Sequence, residues 1–220
     1  MRDLFGVEIS PEELRRWDEA CFTLWHPQPT SWNDIPREGY QPPATYWTHN
    51  VPVDPLTLAG QRVLELGCGI GNCAPPIMYA GGLYTGVDIS RLALHVARSR
   101  LREWPVARWV NSLTDAALGE AWAGEWDMIF GVSFWIHQEG ERRRKLLSVV
   151  SEWLVPGGLL LVDFWPGEVK VNPEKVYGDW EAFTTNEAAL AAEGERCGLQ
   201  AVACHRPSEL RNYLTFSKRG

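Results

Sequence analysis

From Gln61 onward, the apolar positions fall into short runs separated by segments with helical spacing. The runs at 62–66, 83–87, 106–110, 126–132 and 159–164 are brief, rich in aliphatic and β-branched residues, and bounded by Gly, Pro, Asn or Ser, which predicts buried strands. Between them, 72–80 predicts a short helix with Pro75 and Pro76 in its first turn, where backbone donors have no intrahelical partner. Ser90 caps a second helix to about residue 104, with Leu94, Ala97 and Leu101 on one face and Pro105 after its stop. A third helix starts near Glu141 and carries Leu146, Leu147, Val150, Trp153 and Leu154 as one apolar stripe ending at Pro156-Gly157-Gly158. A fourth is capped by Thr184 or Thr185 and closed by Gly198. The last two runs, 199–204 and 213–217, are joined by a short loop and predict an antiparallel pair. Strands and helices that alternate in this way predict an α/β fold with a doubly wound, mostly parallel sheet covered on both faces.

The first 58 residues have a different texture. Ser10-Pro11-Glu12-Glu13 is a helix start, with Ser10 as N-cap, Pro11 at the first helical position and Glu13 completing a capping box, and that helix runs to about Leu24. From His26 to Pro55, prolines forbid a regular helix while aromatics recur, which predicts an ordered loop with aromatic anchors. Such a segment serves either as a lid over a pocket or as a cover packed on the sheet. The predicted division is therefore 1–58 as lid or cover, 59–220 as core, and an irregular insertion at 165–183.

Composition narrows the function classes. With 220 residues and 45% hydrophobic content, the chain can bury one sizeable core. A net charge of -7 argues against a nucleic-acid partner, because such proteins present a basic face. The basic run Arg142-Arg143-Arg144-Lys145 reads as a solvated helix face. Five cysteines, at 21, 68, 73, 197 and 204, form neither a CxxC pair nor a cluster with histidine, so no metal site or disulfide framework is predicted. With no signal segment and no run of about 18 apolar residues, the expectation is a cytoplasmic protein without a membrane partner.

The chemistry concentrates at Arg62-Val63-Leu64-Glu65-Leu66-Gly67-Cys68-Gly69-Ile70-Gly71, followed by Val87-Asp88-Ile89. This pattern predicts strand, tight glycine loop, helix, and a second strand ending in a carboxylate. Glycines admit positive φ and close ligand approach, and Asp88 is placed to accept from ribose hydroxyls. A nicotinamide dehydrogenase would need GxGxxG, whose last glycine is replaced here by Asn72.

On these residues, together with the fourth-strand exit ending in His137 and Leu154-Val155-Pro156-Gly157-Gly158, the chain from 61 to 218 resembles the class I S-adenosylmethionine-dependent methyltransferases of the small-molecule type. The resemblance implies a Rossmann-like seven-stranded sheet with its last strand antiparallel, and S-adenosylmethionine as cofactor with S-adenosylhomocysteine as product. It places Glu65, Gly67, Cys68, Gly69 and Gly71 at the methionyl part, Asp88 at the ribose, Ile89 against adenine, Asn111, Ser112 and Leu113 at the adenine edge, and Phe130 and Gly131 along the methionyl side. Cys68 is then a small loop residue and not a nucleophile. A protein methyltransferase and a non-catalytic partner subunit with the same fold remain alternatives.

Methyl transfer is an in-line displacement, so aligning the acceptor and excluding water matter most, and a base helps where the acceptor is a hydroxyl or protonated amine. His137, just past the fourth strand, is the first candidate base, its other reading being a loop-bracing residue; His26 and His49, among the aromatics of the lid, follow. Tyr46 and Trp47 can close on the methionyl end and Trp32 can cover adenine. Trp25, Tyr40, Trp135 and Asp163 are the candidate acceptor contacts, Asp163 either holding a cationic substrate or standing as a solvated strand-end acid. Gly131-Val132-Ser133-Phe134 stands where nucleobase amino methyltransferases carry Asp/Asn-Pro-Pro-aromatic. Both this and the charge point to a small metabolite.

Overall fold

The structure, a computed structural model, describes residues 1–25, 47, 50–103, 107–167, 183–206 and 211–220, with backbone alone for 20–25. Four strands, β1 (Arg62–Leu66), β2 (Leu83–Asp88), β3 (Arg108–Asn111) and β4 (Trp126–Gly131), lie parallel with the long β5 (Leu154–Pro166). β6 (Thr184–Thr185) is a two-residue strand on the end of β5, and β7 (Leu199–His205) and β8 (Asn212–Lys218) complete the sheet in the order β3-β2-β1-β4-β5-β8-β7. β8 runs antiparallel to both of its neighbours, as expected for the last strand.

Side chains alternate across the sheet because the strand period is two, and both faces are buried. Leu64, Leu66, Ile129, Leu160 and Val162 enter one core with the apolar stripe of α4 (Gly140–Trp153), while Val63, Met128, Phe130 and Leu161 enter a second under α2 (Ala74–Tyr79). Each fully buried side chain of this size contributes roughly 1.5–3 kcal/mol. The remaining helices are α1 (Pro11–Trp25), α3 (Arg91–Arg100) and α5 (Glu187–Arg196). Ser10 and Ser90 cap α1 and α3 as predicted, their hydroxyls accepting from the N–H groups of Glu13 and Ala93.

Several expectations change in detail. α5 is capped by Asn186, not by Thr184 or Thr185, because those threonines pair with Trp165 and Pro166 at the end of β5. α4 stops at Trp153 and the chain enters β5 at once, since Leu154 pairs with Trp126 before the Pro156-Gly157-Gly158 bend. The run 142–145 is a solvated face only in part, with Arg144 and Lys145 exposed. Arg143 is buried and donates twice to Glu193 of α5, at 2.8 and 3.0 Å; Arg142 bonds Glu13 of α1 at 2.6 Å, and Lys145 reaches the carbonyl of Gly6.

Described residues of the N-terminal segment reach into both cores. Leu4 and Phe5 join the α4-side core, with the Phe5 ring 5.3 Å from that of Trp153, and Trp47, Val51 and Leu58 join the other. Among the described residues, no helix is long and apolar enough to cross a membrane.

Candidate active site

The strand order turns the chain outward from β1 through β2 to β3, then back to β4 and β5 on the other side of β1. The switch lies between β1 and β4, which pair as far as Glu65 and Phe130, and open α/β sheets bind ligands outside the carboxyl ends of the strands at such a point. Gly67 leaves β1 there and Gly131 ends β4 there. The ring of Phe134 covers both glycines: a Cβ on Gly67 would stand 2.9 Å from Phe134 Cδ2, and one on Gly131 would stand 2.8 Å from Phe134 Cβ.

The glycine loop bends back on β2. Gly67, Gly69 and Gly71 all have positive φ, and the loop is held by Cys68 N–H on the Val87 carbonyl and Gly69 N–H on Asp88 Oδ2, at 2.9 and 2.8 Å. Gly71 has no room for a side chain, since a Cβ would meet Trp109 Cη2 at 2.5 Å. Asp88 Oδ1 accepts from the Ser90 N–H at 2.8 Å. Burial raises the Asp88 pKa to about 6, opposed by the N–H groups of Ser90, Gly69 and Ile89 and reinforced by the charge of Asp18. An ionised carboxylate offers about four acceptor positions, so capacity remains for ligand hydroxyls.

Glu65 points from β1 into the face shared with Tyr84 and Cys73. The Tyr84 hydroxyl donates to Glu65 Oε2 at 2.5 Å, and burial pushes the Glu65 carboxyl up to about 8. A carboxyl in this state is protonated at neutral pH unless a cation arrives beside it. Asn111 ties the two neighbouring exits together: its Nδ2 donates to the Ile89 carbonyl at 2.8 Å, and its Oδ1 accepts from the N–H groups of Leu113 and Thr114. Ser112 is buried, its N–H on the Asp88 carbonyl at 3.0 Å, so Ile89, Ser112 and Leu113 border one corner of the site.

His137 closes a 3-10 turn (Trp135–His137) after β4, where Trp17 of α1 meets its imidazole edge-on at 5.5 Å. The next residue of α1, Asp18, accepts the Ser90 hydroxyl at 2.5 Å. Adjacent side chains of one helix thus reach the β2 exit and the β4 exit, a role for Trp17 and Asp18 that the amphipathic pattern of α1 does not signal.

Three of the assigned residues lie in the interior. Trp135 is 1% exposed within the α4-side core, so it is not a wall for an acceptor. Asp163 is not a solvated acid: it is 1% exposed, its two oxygens accept from the N–H groups of Ser133 and Trp135 at 2.7 and 3.1 Å, and the cation beside it is Arg211, 4.0 Å away. Trp47 is a buried anchor, its ring 5.6 Å from Phe130, the residue assigned to the methionyl side, and its indole N–H on the Val53 carbonyl. His26, Trp32, Tyr40, Tyr46 and His49, and the side chain of Trp25, lie outside the described residues.

Residues 64–160 match the family model described as a methyltransferase domain. That match spans less than half of the chain, which is similar there to the class I S-adenosylmethionine-dependent methyltransferases. The ubiquinone biosynthesis O-methyltransferase of Aromatoleum aromaticum is 30% identical over 124 residues, covering 56% of this chain and 50% of the relative. The chain thus spans about half the length of that curated relative. The crystal structure of the Burkholderia thailandensis 1,6-didemethyltoxoflavin-N1-methyltransferase, with its substrate and S-adenosylhomocysteine bound, shares the fold at TM-score 0.68 and 16% identity over 97% of this chain and 92% of that one. The Synechocystis magnesium protoporphyrin IX methyltransferase with bound S-adenosylmethionine does so at TM-score 0.62 and 20% identity, covering 94% of this chain and 92% of that one.

Proposed function

We propose that the protein transfers a methyl group from S-adenosylmethionine to an oxygen or nitrogen of a small-molecule acceptor. The observation that carries this reading is the Asp88 carboxylate at the carboxyl end of β2, buried, bound to the glycine loop through Gly69 and still able to accept hydrogen bonds. The relatives named as small-molecule methyltransferases support it.

The residues present fit the cofactor. Asp88 would hold the ribose hydroxyls, Glu65 and the 67–71 loop the methionyl part, and Ile89, Ser112 and Leu113 the adenine. When bound, the cofactor supplies an electrophilic methyl group on a sulfonium sulfur. The chain's own work is alignment and exclusion of water, which the cover of α1 over the β2 and β4 exits serves. His137, steadied by Trp17, takes the proton from an acceptor hydroxyl or ammonium. In the same reading residues 1–58 serve as lid or cover of a 59–220 core, with His26 and His49 as further candidate bases, Trp32 and Tyr46 as candidate cofactor contacts, and Trp25 and Tyr40 as candidate acceptor contacts. The net charge of -7 favours a metabolite over nucleic acid, and the chain works in the cytoplasm.

Incubation with S-adenosylmethionine and a metabolite extract, read by mass spectrometry, tests the reading. A product heavier than its precursor by one methyl-for-hydrogen exchange, with S-adenosylhomocysteine released, supports it; S-adenosylhomocysteine staying at the enzyme-free level across chemically diverse extracts argues against it.

A further inference from the structure

The β4 exit begins with backbone strain. Among the described residues, Ser133 is the non-glycine residue at positive φ, +58°, a conformation that costs a residue bearing a Cβ of order 1–3 kcal/mol and persists only when its surroundings impose it. Two contacts impose it. Its N–H donates to Asp163 Oδ2 at 2.7 Å, and its hydroxyl accepts from Arg211 Nη2 at 2.5 Å.

Arg211, just before β8, does more than hold Ser133. Its Nη1 donates to the Asn50 Oδ1 at 3.0 Å, and its Nε lies 4.0 Å from the buried Asp163 carboxylate. One guanidinium therefore touches three segments that are far apart in sequence: the end of the N-terminal cover, the exit of β4, and the end of β5. Because β8 is antiparallel to β5, its first residues lie at the same sheet edge as the carboxyl ends of β4 and β5. Asn50 follows Trp47, which is seated on Phe130 of β4. The cover thus meets β4 through an apolar anchor and the β4 exit through a polar one. A planar fork of donors suits this three-way span, whereas a lysine ammonium is a single point charge.

We propose that Arg211 is a positioning residue that couples the seating of residues 47–53 to the conformation of the 133–137 turn, so that Phe134 and His137 are held in place only while the cover is seated. The purpose of this coupling rests on the methyl-transfer reading; its geometry does not.

Hydrogen exchange by mass spectrometry, with three variants of the full chain, tests it. Asn50 meets this turn through its bond to the Arg211 guanidinium, and the Arg211→Met background separates that route from any other. Asn50→Ala is expected to speed exchange in 130–138 several-fold, and to add nothing when made in an Arg211→Met background. Arg211→Lys, which keeps a positive charge near Asp163, is expected to speed exchange in 47–53 and 130–138 together. Exchange in 130–138 that ignores Asn50→Ala, or that shows the same increment with and without Arg211, overturns the coupling. Asn50 is half-exposed, so its variant keeps the test readable if Arg211→Met does not fold. Calorimetry of the parent with S-adenosylhomocysteine tests the functional reading separately. Absence of binding by the parent would strike the functional reading and leave the exchange result standing on its own.

Discussion

Ser90 donates its hydroxyl to the Asp18 carboxylate at 2.5 Å, a bond that fastens the N-terminal helix to the exit of β2. The same serine caps α3 and gives its N–H to Asp88. One small residue thus joins the cover, a helix start and the candidate ribose acceptor.

The two jobs of Ser90 separate by substitution. Ser90→Ala loses both the cap and the tie to α1, and cap loss alone costs about 1 kcal/mol. Asp18→Ala loses the tie but keeps the cap, and is expected to cost less. Urea unfolding of the two variants checks the order, and equal losses would contradict the division of roles.

Buried carboxyls set the pH dependence of the ligand-free protein. Burial lifts Glu65 from 4.5 to about 8. A carboxyl whose folded pKa is raised binds more protons in the folded state, so its contribution is full below the unfolded pKa and is lost as pH rises through the folded one. Melting temperature is expected to fall between about pH 4.5 and 8, and Asp88 and Asp163, lifted from 3.8 to about 6, add to the lower part of that fall. Glu65→Gln should flatten the decline above pH 6, measured by thermal unfolding; melting curves that run parallel to the parent across this range would count against a raised Glu65.

Gly71 is required by conformation and by space, with φ +77° and Trp109 where a Cβ would go. Gly71→Ala is expected to destabilise by roughly 1–3 kcal/mol, since αL strain and overpacking each fall in that range. Chemical denaturation measures the loss, and a variant as stable as the parent would show that Trp109 and the loop yield freely.

His137→Ala is expected to lower turnover about 10²-fold or more if the imidazole carries the proton, while S-adenosylhomocysteine affinity stays within about twofold. Steady-state kinetics beside calorimetry separates the two effects. Unchanged turnover would make His137 a brace for Trp17 and the turn.

Local signals carried far along this chain. Ser10 and Ser90 mark helix starts through bonds that span three residues, and the glycine loop and terminal strand pair are likewise short-range patterns. What could not be read depends on partners distant in sequence. Thr184 is drawn from a cap into β6 by Trp165, Arg143 is drawn from solvent into the core by Glu193, and Asp163 is turned inward by Ser133 and Trp135. Arg211 and Asn50 carry no motif; the antiparallel placement of β8 brings Arg211 to the edge where β4 and β5 end, and Asn50 meets it there.

The central claim is that the β1–β2 glycine loop and Asp88 form a sulfonium-cofactor site, and isothermal titration calorimetry of the parent and Asp88→Ala addresses it directly. The account predicts micromolar binding of S-adenosylmethionine or S-adenosylhomocysteine by the parent, weakened at least tenfold in Asp88→Ala with melting temperature nearly unchanged. No heat with either compound while NADH binds, or equal affinity in the variant, would contradict it.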